Sequence, residues 1–168
     1  KALSLKNKTV LDIGCGFADF LSSCQKLNLP IQSYTGWDVN SDFITEAQLQ
    51  YPESNFEVLS LAESTQPKVI AEVGVMLGVL NLHFKEMYDN LEYSKMMIEK
   101  AFLSVSETLV VDFLSNRLTP DYPKEDFVFY HDPAVMLDFA LGLTPNVKLI
   151  HDYAPIKQKE FILVLEHV

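Results

Sequence analysis

Apolar residues change their spacing repeatedly along the chain, and the changes predict alternating strands and helices. Val10, Leu11 and Ile13 surround one acid, Asp12, in a short apolar run that ends at Gly14 and Gly16. Phe20, Leu21, Cys24 and Leu27 then recur at helical spacing, so a helix is expected to pack that face on the sheet. Residues 34–39 read as the second strand and 41–50 as a helix capped by Asn40 or Ser41. Residues 52–55 make a turn before a third strand over 56–61. The run 69–80 is apolar almost throughout, as a central parallel strand buried on both faces should be; its first half is assigned to strand four. Leu91, Ile98, Phe102 and Val105 form one stripe of a long helix over 89–105, and 108–114 gives strand five. Asp132 and Pro133 open another helix, with the acid as cap, and Gly142 is expected to close it. Residues 147–152 and 160–166 are the last two strands, with a link at 155–159 short enough for a hairpin.

This order describes an α/β protein, a doubly wound Rossmann-like seven-stranded sheet with one antiparallel strand. The 168 residues amount to a single domain. No apolar run reaches the roughly 18 residues needed to cross a bilayer, and no signal-peptide pattern opens the chain, so no membrane partner is expected. A net charge of −10 argues against a nucleic-acid partner, whose phosphates are held by lysine and arginine. Two cysteines give no disulfide framework and suit a reducing cytoplasmic setting.

The segment Asp12-Ile13-Gly14-Cys15-Gly16-Phe17-Ala18-Asp19 carries the chemistry. Its glycines allow a tight turn and a close approach of backbone to ligand, at the start of a helix. A dinucleotide fingerprint would place a third glycine where Asp19 stands, and a pyrophosphate would meet that carboxylate. Asp12 at the strand tip likewise suits a cation, such as a sulfonium or ammonium, better than a diphosphate. Asp38, at the end of the second strand, lies roughly 20 residues beyond the glycines, the distance at which an acid holds ribose hydroxyls in related sites.

Together these residues resemble the class I S-adenosylmethionine-dependent methyltransferases, whose first motif reads apolar-Asp/Glu-x-Gly-x-Gly. The resemblance covers the chain from Lys8 onward and implies a strand order 3-2-1-4-5-7-6. It also implies S-adenosyl-L-methionine as cofactor, held by Asp12, Gly14, Cys15, Gly16, Asp38, Val39, Ser60, Leu61 and Leu77. Members usually carry helices before the first strand that close over the substrate. The chain starts without Met and almost directly on that strand, so residues 1–168 are expected to form one cofactor-binding domain whose N-terminal cap is missing. Another domain or subunit could complete its active site. A looser resemblance, carried by 112–115, 129–133, 151–153 and 160–163, is to a bacterial subgroup associated with surface-polysaccharide biosynthesis.

Asn81, following strand four, is a candidate for contacting the reacting groups, against a plain turn-forming role. His131 and His151 each stand beside an acid and are candidate bases. Residues 115–131, long and without a regular pattern, suggest a substrate lid. That segment holds Arg117, the sole arginine, whose fork could grip an anion, against a plain ion pair. Tyr130 and Tyr153 complete the candidate substrate residues. No metal site is expected. The reading favoured is a methyltransferase acting on a small polar acceptor, an oxygen of a sugar or sugar-linked anion. The alternative is a non-catalytic module of the same fold that pairs with another chain. Asp12 and Asp19 disfavour a nicotinamide-dependent oxidoreductase.

Overall fold

The computed structural model describes residues 4–65, 68–85, 87–152 and 159–168. Seven strands form one sheet: β1 (Thr9–Ile13), β2 (Ser33–Asp38), β3 (Asn55–Val58), β4 (Ala71–Met76), β5 (Val105–Leu114), β6 (Asn146–Ile150) and β7 (Glu160–Glu166). Their order is β3-β2-β1-β4-β5-β7-β6, and only β7 runs antiparallel to its neighbours. Among the described residues, four helices cover the sheet: α1 (Asp19–Lys26), α2 (Ser41–Gln50), α3 (Asn90–Leu103) and α4 (Pro133–Leu143).

The side-chain alternation of β1 divides the core. Leu11 and Ile13 face a large apolar cluster with Trp37, Met97, Ile98, Phe102, Met136 and Phe161. Val10 faces the opposite cluster of Ala18, Leu21, Tyr34 and Ala47. Asp12 shares that second side by alternation. No helix among the described residues is long and apolar enough to cross a membrane.

Several boundaries differ from the sequence reading. Leu27 ends α1 as its C-cap and is 69 % exposed, because the turn that closes the helix rotates it off the packed face. Val105 belongs to β5: Ser104 caps α3 and the chain enters the strand at once. α4 continues through Gly142 to Leu143, since no left-handed turn forms there. β3 stops at Val58, so residues 59–61 form a loop rather than strand. The helix caps agree with expectation: Asn40 accepts from the N–H groups of Asp42 and Phe43, and Asp132 from that of Ala134. The expected hairpin link lies largely outside the described residues.

Candidate functional site

β1 and β4 are the adjacent strands from which the chain leaves in opposite directions, and a parallel sheet opens a crevice there. Two adjoining chambers occupy it. The larger, about 400 Å³, is walled by Ile13, Trp37, Leu59, Leu61, Val79 and Met97, with Asp38 and Val39 at one side. The smaller, about 360 Å³, is bounded by Asp12, Cys15, Gly16, Asp19, Phe20 and Ser23. Gly14 and Leu77 line both.

The glycine turn is built by its own backbone. Gly14 and Cys15 donate their N–H groups to the Trp37 carbonyl at 2.7 and 2.9 Å. Gly16 donates to Asp38 Oδ2 at 3.0 Å, and Asn40 N donates to Asp38 Oδ1 at 2.8 Å. The three amides that might have cradled an anion are therefore directed at the protein itself. Asp38 braces the turn, yet each carboxylate oxygen keeps a second lone pair for a ligand hydroxyl. Gly14 and Gly16 have φ of 74° and 53°, the left-handed region. A Cβ at Gly14 would strike Val79, whereas one at Gly16 would enter open space.

Asp12 is only 3 % exposed and so less open than its position at a strand tip suggested. The Tyr34 hydroxyl donates to its Oδ2 at 2.6 Å. Burial, opposed by that hydrogen bond and assisted by Asp38 and Asp19, pushes its carboxyl up to about 6. The Cys15 thiol, also buried, is pushed up to about 12, so it remains an uncharged wall. Ser60 lies beyond the main chamber, in a neighbouring groove of about 580 Å³ with Phe84, Tyr88, Tyr93 and Met96.

The other candidates lie elsewhere. Asn81 Oδ1 accepts from Leu114 N at 2.9 Å, and its carbonyl accepts from Phe129 N; it staples two connections together. His131 is 1 % exposed, bonded to Ser94 Oγ through Nε2 at 2.9 Å and edge-on to Phe113 and Phe129. Burial brings it down to about 4, a neutral core histidine. His151 Nε2 meets Ser115 Oγ at 3.1 Å, on the β5–β7 side of the sheet; neither histidine lines either chamber. Arg117 pairs with the helix-capping Asp132 at 3.1 Å. Tyr130 Oη accepts from Glu125 N within the long connection. That connection is fastened rather than free, through bridges Leu82–Val128 and Ser115–His131. Tyr153 lies outside the described residues.

Two contributors escaped the sequence reading. Trp37 walls the main chamber, and among the described residues its buried indole N–H has no partner. Lys100, on α3, donates to the carbonyls of Leu61, Ala62 and Ser64, fixing the turn after β3. An aromatic before an acid in a strand, and a lysine on a helix, carry no signal of these roles.

Sheet order and crevice define the fold as that of the S-adenosylmethionine-dependent methyltransferases. Among solved structures, the chain is similar to magnesium protoporphyrin IX methyltransferase from Synechocystis PCC 6803 with bound SAH, at TM-score 0.68 and 17 % identity over 98 % of this chain and 75 % of that one. It is similar to an S-adenosylmethionine-dependent methyltransferase from Mesorhizobium loti, at TM-score 0.69 and 10 % identity over 99 % and 94 %. The small RNA methyltransferase HEN1 gives TM-score 0.69 and 16 % identity over 96 % of this chain and 23 % of that one. No family model matches the sequence, and no curated protein matches it.

Proposed function

We propose that the protein binds S-adenosylmethionine in the paired chambers and transfers its methyl group to a small-molecule acceptor. The observation that carries this reading is the meeting of an apolar chamber bordered by Asp38 with an acidic chamber bordered by Asp12 and Asp19, across one glycine turn. The first suits a purine and a ribose diol, the second an ammonium and a sulfonium. Three further observations support the fit. The space above Gly16 is open, the Trp37 indole N–H lacks an acceptor among the described residues, and Val39 and Leu77 expose apolar surface that a bound ligand would cover. The inward-facing turn amides favour this ligand over a diphosphate.

In this reading Asp38 holds the ribose, Val39, Leu61 and Leu77 flank the base, and Gly14 and Gly16 let the chain approach the ligand. When bound, the cofactor supplies a methyl group on a sulfonium, already a good leaving group. The protein's part is then alignment and exclusion of water. The placement of His131 and His151 away from both chambers favours orientation over proton removal by either. The sugar oxygen read from the sequence gains no support from the residues at the mouth, so the acceptor is proposed only as a small molecule. The charge of −10 favours that over RNA. Calorimetric titration with S-adenosylhomocysteine, with NAD as control, tests the reading. Micromolar binding of the first alone is expected; binding of NAD alone, or of neither, overturns it.

A further inference from the structure

Asp12 faces the α1 side of the sheet, where β1 and β2 pair in parallel with Asp12 opposite Gly36 and Val10 opposite Tyr34. The Tyr34 phenol reaches along the strand pair to Asp12, while the space beside Gly36 is filled by Cys15 Sγ and the Phe56 ring. The resulting O–H···O bond of 2.6 Å has the length of a charge-assisted one. The other ionisable groups around Asp12 come from the end of β2, the glycine turn and α1. Asp38 and Asp19 carry the same sign as Asp12, and Cys15 and Cys24 are buried thiols. The Tyr34 hydroxyl thus favours the charged carboxylate, against burial and two like charges. The same carboxylate borders the acidic chamber.

Resting on the reading above, we propose that Tyr34 is a positioning residue that keeps Asp12 ionised and fixed toward the cationic, amino-acid end of the ligand. Tyr34 meets Asp12 from the core side and Asp12 meets the chamber, so the phenol acts on ligand through the carboxylate alone. It is not a catalytic residue. Its effect belongs to the amino-acid end of S-adenosylhomocysteine and not to the adenosine portion.

The test uses Tyr34→Phe, which removes one oxygen and keeps the ring. Carbon-detected NMR should place the wild-type Asp12 carboxyl midpoint near 6, and about one to two pH units higher in the variant, the scale of a lost charge-assisted bond. S-adenosylhomocysteine binding at pH 7 should weaken about two- to tenfold and recover near pH 8.5, while adenosine binding stays unchanged. Asp12→Asn should bind weakly with no pH dependence over pH 5–8, and adding Tyr34→Phe to it should change nothing more. Should Tyr34→Phe fail to fold, Asp12→Asn alone decides: a retained wild-type pH profile overturns the inference. A wild type that binds S-adenosylhomocysteine, with Tyr34→Phe binding it equally at every pH, overturns this inference alone. A wild type that does not bind removes the proposed function and this inference together.

Discussion

Replacing Gly14 and Gly16 separately by alanine should damage the protein in opposite ways, although they stand two residues apart in one turn. Both carry positive φ, so either alanine bears a left-handed strain of about 1–2 kcal/mol, partly offset by a stiffer unfolded chain. At Gly14 the new Cβ lies 2.5 Å from Val79 Cγ2, closer than packed atoms approach. Forcing Val79 aside adds an overpacking cost of about 1–3 kcal/mol. Gly14→Ala is therefore expected to lose roughly 2–4 kcal/mol, which at about 2–4 °C per kcal/mol for this size is a fall of roughly 4–16 °C. At Gly16 nothing lies within 4 Å of the new Cβ, so stability should fall by only about 1 kcal/mol. That Cβ enters the space proposed for the ligand, however, and S-adenosylhomocysteine affinity should drop at least tenfold. Thermal unfolding by circular dichroism and calorimetric titration at pH 7 read the two effects. If Gly16→Ala proves the less stable of the pair, or binds ligand as the wild type does, the reasoning fails.

Asp38→Ala should cost about 1–3 kcal/mol in chemical denaturation, since it strips acceptors from Gly16 N and Asn40 N, and should weaken S-adenosylhomocysteine at least tenfold; unchanged affinity would remove Asp38 from the ribose role. Trp37 is the only tryptophan and walls the larger chamber, so its emission should change saturably on titration with S-adenosylhomocysteine and stay flat with NAD. Acid stability should reveal two opposed groups. His131 titrates near 4 folded against 6.5 unfolded, so its contribution, about 3 kcal/mol, is present above 6.5 and is lost as pH falls through 4. Asp12 titrates near 6 folded against 3.8 unfolded, so its similar contribution, about 3 kcal/mol, is present below 3.8 and disappears as pH rises through 6. His131→Gln should accordingly make stability increase on acidification from pH 7 to 4, and Asp12→Asn should steepen its fall, both measured by urea unfolding; parallel pH profiles for the two variants would show that the burial of one is misjudged.

The alternation of strands and helices was legible because apolar runs, caps and glycine breaks agree with one another along most of the chain, whereas the strand order came with the resemblance to the methyltransferases. The glycine turn was legible as a local motif, and Asp38 through its place at the end of the second strand, roughly 20 residues beyond the glycines. Boundaries failed where one residue satisfies two patterns. Val105 continues the helical stripe of Leu91, Ile98 and Phe102 and equally begins a strand, and Ser104 decides the matter only in three dimensions. The surroundings of His131 were not legible because an adjacent acid is visible in sequence while burial is not. His131 sits between Phe113 and Phe129, which come from different parts of the chain. Tyr34 gave no hint of its bond to Asp12, since 22 residues and a helix separate two groups that parallel pairing makes neighbours.

The long connection after β5 has a consequence for how ligand enters. Val128 bridges Leu82, Phe129 N–H reaches the Asn81 carbonyl, His83 N–H reaches the Phe127 carbonyl, and the Asn81 side chain holds Leu114. Residues 81–83, in the segment following β4, are thereby sewn to residues 127–129. Segments joined by a shared ladder tend to open cooperatively, as one unit with one free energy. The amides of His83 and Phe129 should thus exchange hydrogen at a common rate, and one wall of the crevice should yield as a single panel rather than as two independent flaps.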